Sequence, residues 1–271
     1  MASQPTRPTA LTIDGSDSGG GAGVQADLKA FSAARVHGTT AVTCITAQNP
    51  QEISAIETVS PALVDQQIAA VCSAFPVGAI KTGMLYSRDL VLVAAHWITR
   101  TPQIPWVIDP VLVATSGALL LKPDAMDAYK TSLFPHAALL TPNIAEAETL
   151  VGHKIINPEA MREAARILFK NYGVPILIKG GHLASGSSAL DLLYTGDGEW
   201  LLQAPRVQGV RTHGTGCTFA ASIAAHLALG KPLQESVMAA KKIVTNAIRR
   251  SFKTGRQHIL HLLHLLHLLH L

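Results

Sequence analysis

The 271-residue sequence is short of several things, and each shortage removes a class of function. Cysteine occurs only at 44, 72 and 217, with no CxxC or other metal-ligand spacing, which argues against a disulfide scaffold or a zinc site and for a reducing compartment. No apolar run approaches the length that crosses a bilayer, and the polar start MASQPTRPTA lacks the apolar stretch of a secretory signal. The expectation is a cytoplasmic protein with no membrane partner. Aromatic residues make up 5% of the chain, and Trp97, Trp106 and Trp200 read as packing residues rather than base-stacking platforms. No basic stripe with interleaved aromatics accompanies the formal charge of +4, so no nucleic-acid partner is expected. Much of that charge lies late, in Lys241, Lys242, Arg249, Arg250, Lys253 and Arg256, and a basic rim around an anionic substrate explains it equally well.

What is present is 48% hydrophobic residues in short apolar runs separated by helical patterns. Strands are expected at 10–13, 39–46, 77–81, 106–108, 138–140 and 176–178. Helices are expected at about 22–34, from Ser60 and Pro61 onward, and at about 87–99, 124–132 and 158–170. Leu28 and Phe31 are the inward candidates of the first helix, and Leu63, Ile68 and Val71 those of the second. This alternation predicts an α/β fold, a mainly parallel sheet with helices on both faces. Residues 189–194 and 200–204 flank Gly196-Asp197-Gly198 and read as a hairpin. The division is a flexible N-terminus at 1–9, one domain at 10–256, and a low-complexity His-Leu-Leu tail at 257–271.

Two glycine-rich segments carry the candidate chemistry. In RTHGTGCTFAASIAAHL, Gly214 and Gly216 permit a tight turn before a small-residue helix, whose first N–H groups suit a transferring phosphoryl group. Thr212, Gly214, Thr215 and Gly216 form the candidate phosphate cradle. Cys217 in the same positive field is expected to have a lowered pKa and to take, or at least orient, a substrate hydroxyl proton. An ordinary glycine loop beside a buried cysteine is the alternative. In GSDSGGGAGVQADLK, glycines at 15, 19, 20, 21 and 23 allow backbone to approach a ligand. The GKS or GKT of a Walker A loop is missing, and the spacing does not match the dinucleotide fingerprint.

Asp27, on the following helix, is a ligand contact or a solvated acid. Asp109 is a candidate magnesium-proximal acid, acting partly through water. Asn143 and Glu146 in TPNIAEAE could orient water around that metal, with a helix cap the alternative for Asn143. Lys179 in IKGGH is a phosphate contact or a solvated strand-end lysine. All fall at expected carboxyl ends of strands, where open α/β sheets bind their ligands. His182 and His213 adjoin glycine loops and are structural histidines on the plainer reading.

Taken in order, ALTIDGSDSGGGAGVQADLKAFSA, CITAQN, KTGML, IDPVL, LTPNIAEAE, IKGGH and THGTGCTFAASIAAHLA resemble the bacterial hydroxymethylpyrimidine/phosphomethylpyrimidine kinases of thiamine biosynthesis. The similarity runs from about residue 10 to about 250. It implies the three-layer ribokinase-like fold, a homodimer, and ATP and Mg2+ as cofactors. The implied partners are 4-amino-5-hydroxymethyl-2-methylpyrimidine and its monophosphate, phosphorylated in turn to the diphosphate. The resemblance further implies that Gln48 pairs with the aminopyrimidine edge and that Gly15, Thr46 and Met84 form the pocket. Asp27 would lie near the hydroxymethyl group, and Cys217 would stand where sugar-kinase relatives have an aspartate base. Gly214, Thr215 and Gly216 would supply the anion hole, with Lys179 approaching the phosphates.

One position departs from the pattern: where the family commonly reads TIAGSD, this chain has Asp14 before Gly15. That acid could repel a phosphorylated substrate, pair with a cation, or point away. A pyridoxal-type kinase of the same superfamily and a non-catalytic pyrimidine-binding module are the rival readings.

Overall fold

A computed structural model describes residues 6–112, 120–122, 124–181, 183, 188–210, 213–255 and 257–262; Thr212, His182 and the tail beyond 262 lie outside the described residues. Nine strands form one sheet: β1 (Thr9–Asp17), β2 (His37–Gln48), β3 (Ile53–Thr58), β4 (Val77–Thr82), β5 (Trp106–Ile108), β6 (Leu139–Leu140), β7 (Ile176–Gly180), β8 (Ser188–Tyr194) and β9 (Glu199–Pro205). Their spatial order is β3-β2-β1-β4-β5-β6-β7-β8-β9. From β2 to β7 the pairing is parallel, while β3 and the β8–β9 hairpin add antiparallel margins.

Strand side chains alternate between two faces, and a sheet buried on both must be apolar on both. Ala79, Val107, Leu139 and Leu177 point to one face, where α1 (Gly23–Ala33), α7 (Thr215–Ala228) and α8 (Leu233–Arg249) pack. Ile80, Ile108, Leu140 and Ile178 point to the other, covered by α2 (Pro61–Ala74), α3 (Arg88–Arg100), α4 (Ala125–Ala128), α5 (Ile144–Val151) and α6 (Pro158–Tyr172). The expected sheet with two helical layers is thus borne out.

Three expectations need correction. Leu28 and Leu63 are exposed; α1 buries Val24, Ala26, Asp27, Ala30 and Phe31, and α2 buries Val64 and Ile68. In α1 the buried stripe contains a carboxylate, so a count of apolar residues alone puts the helix in the wrong phase. The expected helix at 124–132 is α-helical only over α4, then widens into a π-helix at Tyr129–Leu133 and tightens into a 3-10 turn at Phe134–His136. That change of pitch buries Tyr129, Leu133 and Phe134 together. Strand β3 was not expected, because none of its six residues is fully buried and its period-2 signal is weak. At the other end of the chain, β10 (Phe252–Thr254) and β11 (Gln257–Ile259) form a separate hairpin.

Helix α7 packs against α1, α8 and β4, and Ala220, Ala221, Ala224 and Ala225 are fully buried in that contact. Adding bulk there should strain the packing beneath the site. Ala224→Leu is expected to cost about 1–3 kcal/mol, measured by urea denaturation; an unchanged midpoint would mean the helix is loosely seated.

Candidate active site

Charged side chains gather at the carboxyl ends of the parallel strands. In β4, Lys81 is fully buried, and its Nζ lies 2.6 Å from Asp14 Oδ2 and 2.8 Å from Asp27 Oδ2. Thr12 donates to the same Asp27 oxygen at 2.5 Å, while Asp27 Oδ1 has no protein donor. Burial opposes the Lys81 charge, but Asp14 and Asp27 hold its pKa well above the ordinary lysine value. Burial also pushes Asp27 up to about 7, with Lys81 opposing and Asp14 adding to the rise.

A second group lies across β5 to β7. Lys179 Nζ is 2.5 Å from Asp109 Oδ1, which also accepts from Thr141 Oγ1 at 2.9 Å. Asn143 caps α5: it accepts from Glu146 N–H at 2.9 Å, and Glu146 Oε2 accepts from Asn143 N–H at 2.8 Å. Burial first, and then the Asp109 charge, push the Glu146 carboxyl up to about 7 against the pull of Lys179.

Cys217, in the first turn of α7, feels both groups. Its side chain keeps partial exposure, yet the surrounding protein and the Asp14, Asp27 and Asp109 carboxylates push its pKa up to about 12, with Lys81 opposing. The expectation of a lowered pKa is therefore corrected. A helix N-terminus does favour a thiolate, but burial and three carboxylates outweigh it, and the ligand-free site holds a thiol.

The two glycine loops interlock. Gly214 has φ +78°, and a Cβ there would collide with the Gly21 carbonyl oxygen. Asp17 organises the first loop, accepting from Gly19, Gly21 and Ala22 N–H at 2.8, 3.1 and 2.8 Å. Although burial opposes it, His213 and these backbone donors hold the Asp17 carboxyl below its usual value. Beyond Gly214 the backbone enters α7, and Lys179 Nζ would be 3.2 Å from a Cβ on Gly216, so the ammonium lies against the helix start.

The residues expected to form a pyrimidine pocket come together. Gly15 packs on Cys44, which is 3.7 Å from Met84 Sδ, and Cys44, Met84 and Leu120 form a small apolar cluster with Ile53 and Ile56. His213 Nε2 lies 3.1 Å from both Asp17 Oδ2 and the Gln48 amide. The Gln48 NH2 faces His213, its carbonyl oxygen lies 3.0 Å from Thr46 Oγ1, and Thr46 Oγ1 is also 2.9 Å from Ser16 O. Thr46 thus holds loop and amide in place. Asp27 is enclosed beneath the site, where it pairs with Lys81.

This arrangement is matched by known proteins. Residues 17–261 fit the phosphomethylpyrimidine kinase family. The chain belongs to that family. Among its relatives, the hydroxymethylpyrimidine/phosphomethylpyrimidine kinase of Rhizobium meliloti is 47% identical over 240 residues, 88% of this chain and 90% of that one. The bifunctional thiamine biosynthesis protein ThiED of Geobacter sulfurreducens is 46% identical over 93% of this chain, which spans 51% of that longer protein. Among solved structures, the ADP complex of Bacillus subtilis pyridoxal kinase superposes with a TM-score of 0.87 at 36% identity, covering 94% of this chain and 97% of that one. The phosphomethylpyrimidine kinase of Clostridium difficile 630 gives 0.78 at 36% identity, covering 89% and 100%. The chain is therefore a kinase of the ribokinase-like superfamily. No helix among the described residues is long and apolar enough to cross a membrane.

Lys81, Asp17 and the bridging role of His213 were not read from the sequence. One signal for Lys81 was available: a lysine near the end of an apolar central strand has to be paired, and Asp14 directly follows the strand expected at 10–13. The His213–Asp17 contact spans 196 positions and leaves no such mark.

Two outcomes follow from this geometry. Gly214→Ala forces a left-handed alanine against the Gly21 carbonyl, and misplacement of the loop is expected to lower kcat by about 10²-fold; near-normal turnover would show that the loops can part freely. Glu146 remains protonated in the folded chain where the unfolded chain has lost its proton, so it removes stability as pH rises from 4.5 to about 7. In Glu146→Gln the decline between pH 5 and pH 8 is expected to shrink by roughly 1–3 kcal/mol, read by urea denaturation of ligand-free protein. An equal decline would place the titration elsewhere.

Proposed function

We propose that this chain phosphorylates 4-amino-5-hydroxymethyl-2-methylpyrimidine with ATP, and then phosphorylates the monophosphate to the diphosphate for thiamine diphosphate synthesis. The observation that carries the reading is the position of the Lys179 ammonium against Gly216 at the start of α7, one residue from Cys217. A lysine and a helix N-terminus at one point suit a transferring phosphoryl group. The substrate hydroxyl oxygen forms a bond to the γ-phosphorus, the bond to the β,γ-bridging oxygen breaks, ADP leaves, and the hydroxyl proton passes to an oxygen of the transferred phosphoryl group and from there to solvent. Such transition states need positioning and charge stabilisation more than a strong base. That suits a Cys217 present as a thiol, which orients the hydroxymethyl group through its sulfur. Gln48, with its amide fixed by His213 and Thr46, keeps donor and acceptor capacity for the aminopyrimidine edge.

The residues also fit magnesium. Asp109 and Glu146 lie close enough for the Asp109 charge to act on the Glu146 carboxyl, and paired carboxylate oxygens suit that ion. Asp109 and Glu146 would hold the ion, partly through water, and bound magnesium would neutralise triphosphate charge. We further take residues 10–256 as one catalytic domain of a cytoplasmic homodimer. Ile45, 58% exposed on β2 beside the edge strand β3, is a natural contact for a second copy.

A pyridoxal-type activity is the second reading, favoured by the closer superposition on the Bacillus subtilis pyridoxal kinase. A mass-resolved assay with ATP, magnesium and either the pyrimidine or pyridoxal separates them. Pyrimidine monophosphate followed by diphosphate is expected; pyridoxal phosphate without a pyrimidine product would overturn the substrate assignment, and no transfer to either would favour a binding module.

Cys217→Ala is expected to slow the alcohol-phosphorylating step, whose hydroxymethyl group the sulfur orients, by about 10²-fold and the second step, whose acceptor is a phosphate oxygen, by clearly less. Equal losses in single-turnover assays of each step would point to packing or phosphate positioning instead.

A further inference from the structure

The main-chain ladder between β1 and β4 ends at Ile13 and Thr82, with one more bond from Gly83 N–H to Ile13 O at 3.0 Å. Beyond that point the strands part: β1 continues alongside β2 to Asp17, while the chain after β4 turns away. The gap is spanned by a side chain. Asp14 Oδ1 accepts from Gly15 N–H at 2.7 Å and from Met84 N–H at 2.6 Å, and Oδ2 accepts from Lys81 Nζ at 2.6 Å. The carboxylate is 2% exposed, and Gly83 makes room for it, since any Cβ at that position would strike Asp14.

Gly15 and Met84 are also the two backbone segments that meet at Cys44 in the apolar pocket cluster. We propose that Asp14 is a positioning residue for the pyrimidine pocket, fixing the Gly15 and Met84 segments at one separation through a shared carboxylate anchored on Lys81. The inference rests on the functional reading above and adds a residue to it. An acid at this point does not confront the substrate; it is enclosed, and all three of its bonds run to protein donors.

Three donors converging on two oxygens require a carboxylate. An asparagine has one acceptor oxygen, and its NH2 would face either the two backbone N–H groups or the Lys81 ammonium, donor against donor. Alanine would remove the link altogether. Either change frees the Gly15 and Met84 segments to drift apart while leaving Lys179, Gly216 and the nucleotide side untouched.

The test is the steady-state kinetics of Asp14→Asn and Asp14→Ala, varying the pyrimidine and ATP separately, with thermal unfolding as a check on folding. In both variants KM for the pyrimidine is expected to rise about tenfold or more while KM for ATP stays within about twofold. A purely structural residue would instead lower the active fraction, and so kcat, with both KM values unmoved. That result, or parallel changes in both KM values, with an active wild type would overturn the inference and leave the functional reading intact. If only one variant folds, it carries the test; if neither folds, Asp14 is a folding requirement and the positioning role is rejected. A wild type that makes no phosphorylated pyrimidine would remove the functional reading, and the inference with it.

Discussion

Two buried lysines hold the active centre together. Lys81 and Lys179 stand at the carboxyl ends of β4 and β7 among Asp14, Asp27, Asp109 and Glu146. A protein interior tolerates charge only when it is paired and hydrogen-bonded; here Lys81 is shared between Asp14 and Asp27, and Lys179 pairs with Asp109. Burial is the first reason that Asp27 and Glu146 are pushed up to about 7 and Cys217 to about 12, with neighbouring carboxylates adding to the rise and the lysines opposing it.

The fold places these groups within reach of one another. Parallel strands all present their carboxyl ends at one side of the sheet, so residues far apart in sequence, such as Asp14, Lys81, Asp109 and Lys179, converge there. The two glycine loops then close over that edge because Gly214 and Gly21 have no side chains to keep them apart. The alanines of α7 let the helix lie close to the sheet, setting the start of that helix, and with it Cys217, over the charge cluster.

Much of this was legible in the sequence. Apolar runs such as Val107-Ile108 and Leu177-Ile178 revealed strands buried on both faces, and ordered glycine, lysine and acidic motifs marked the strand ends. What could not be read were consequences of three-dimensional balance. The phase of α1 depended on Asp27 being drawn inward by Lys81. The pKa of Cys217 depended on burial first and then on three carboxylates from β1, α1 and the end of β5, so the helix N-terminus alone suggested the opposite shift. Asp14 looked like a departure from its family's pattern until its bonds to Gly15, Lys81 and Met84 explained how its charge is held.

The claim that this charge balance governs the site is tested most directly by titrating the Cys217 thiol in ligand-free protein. Thiolate absorbance, taken as the difference between wild type and Cys217→Ala, should show no Cys217 signal from about pH 6 to about pH 9. A thiolate forming near neutral pH would contradict the account and mean that the helix N-terminus and Lys81 prevail over burial and the surrounding carboxylates.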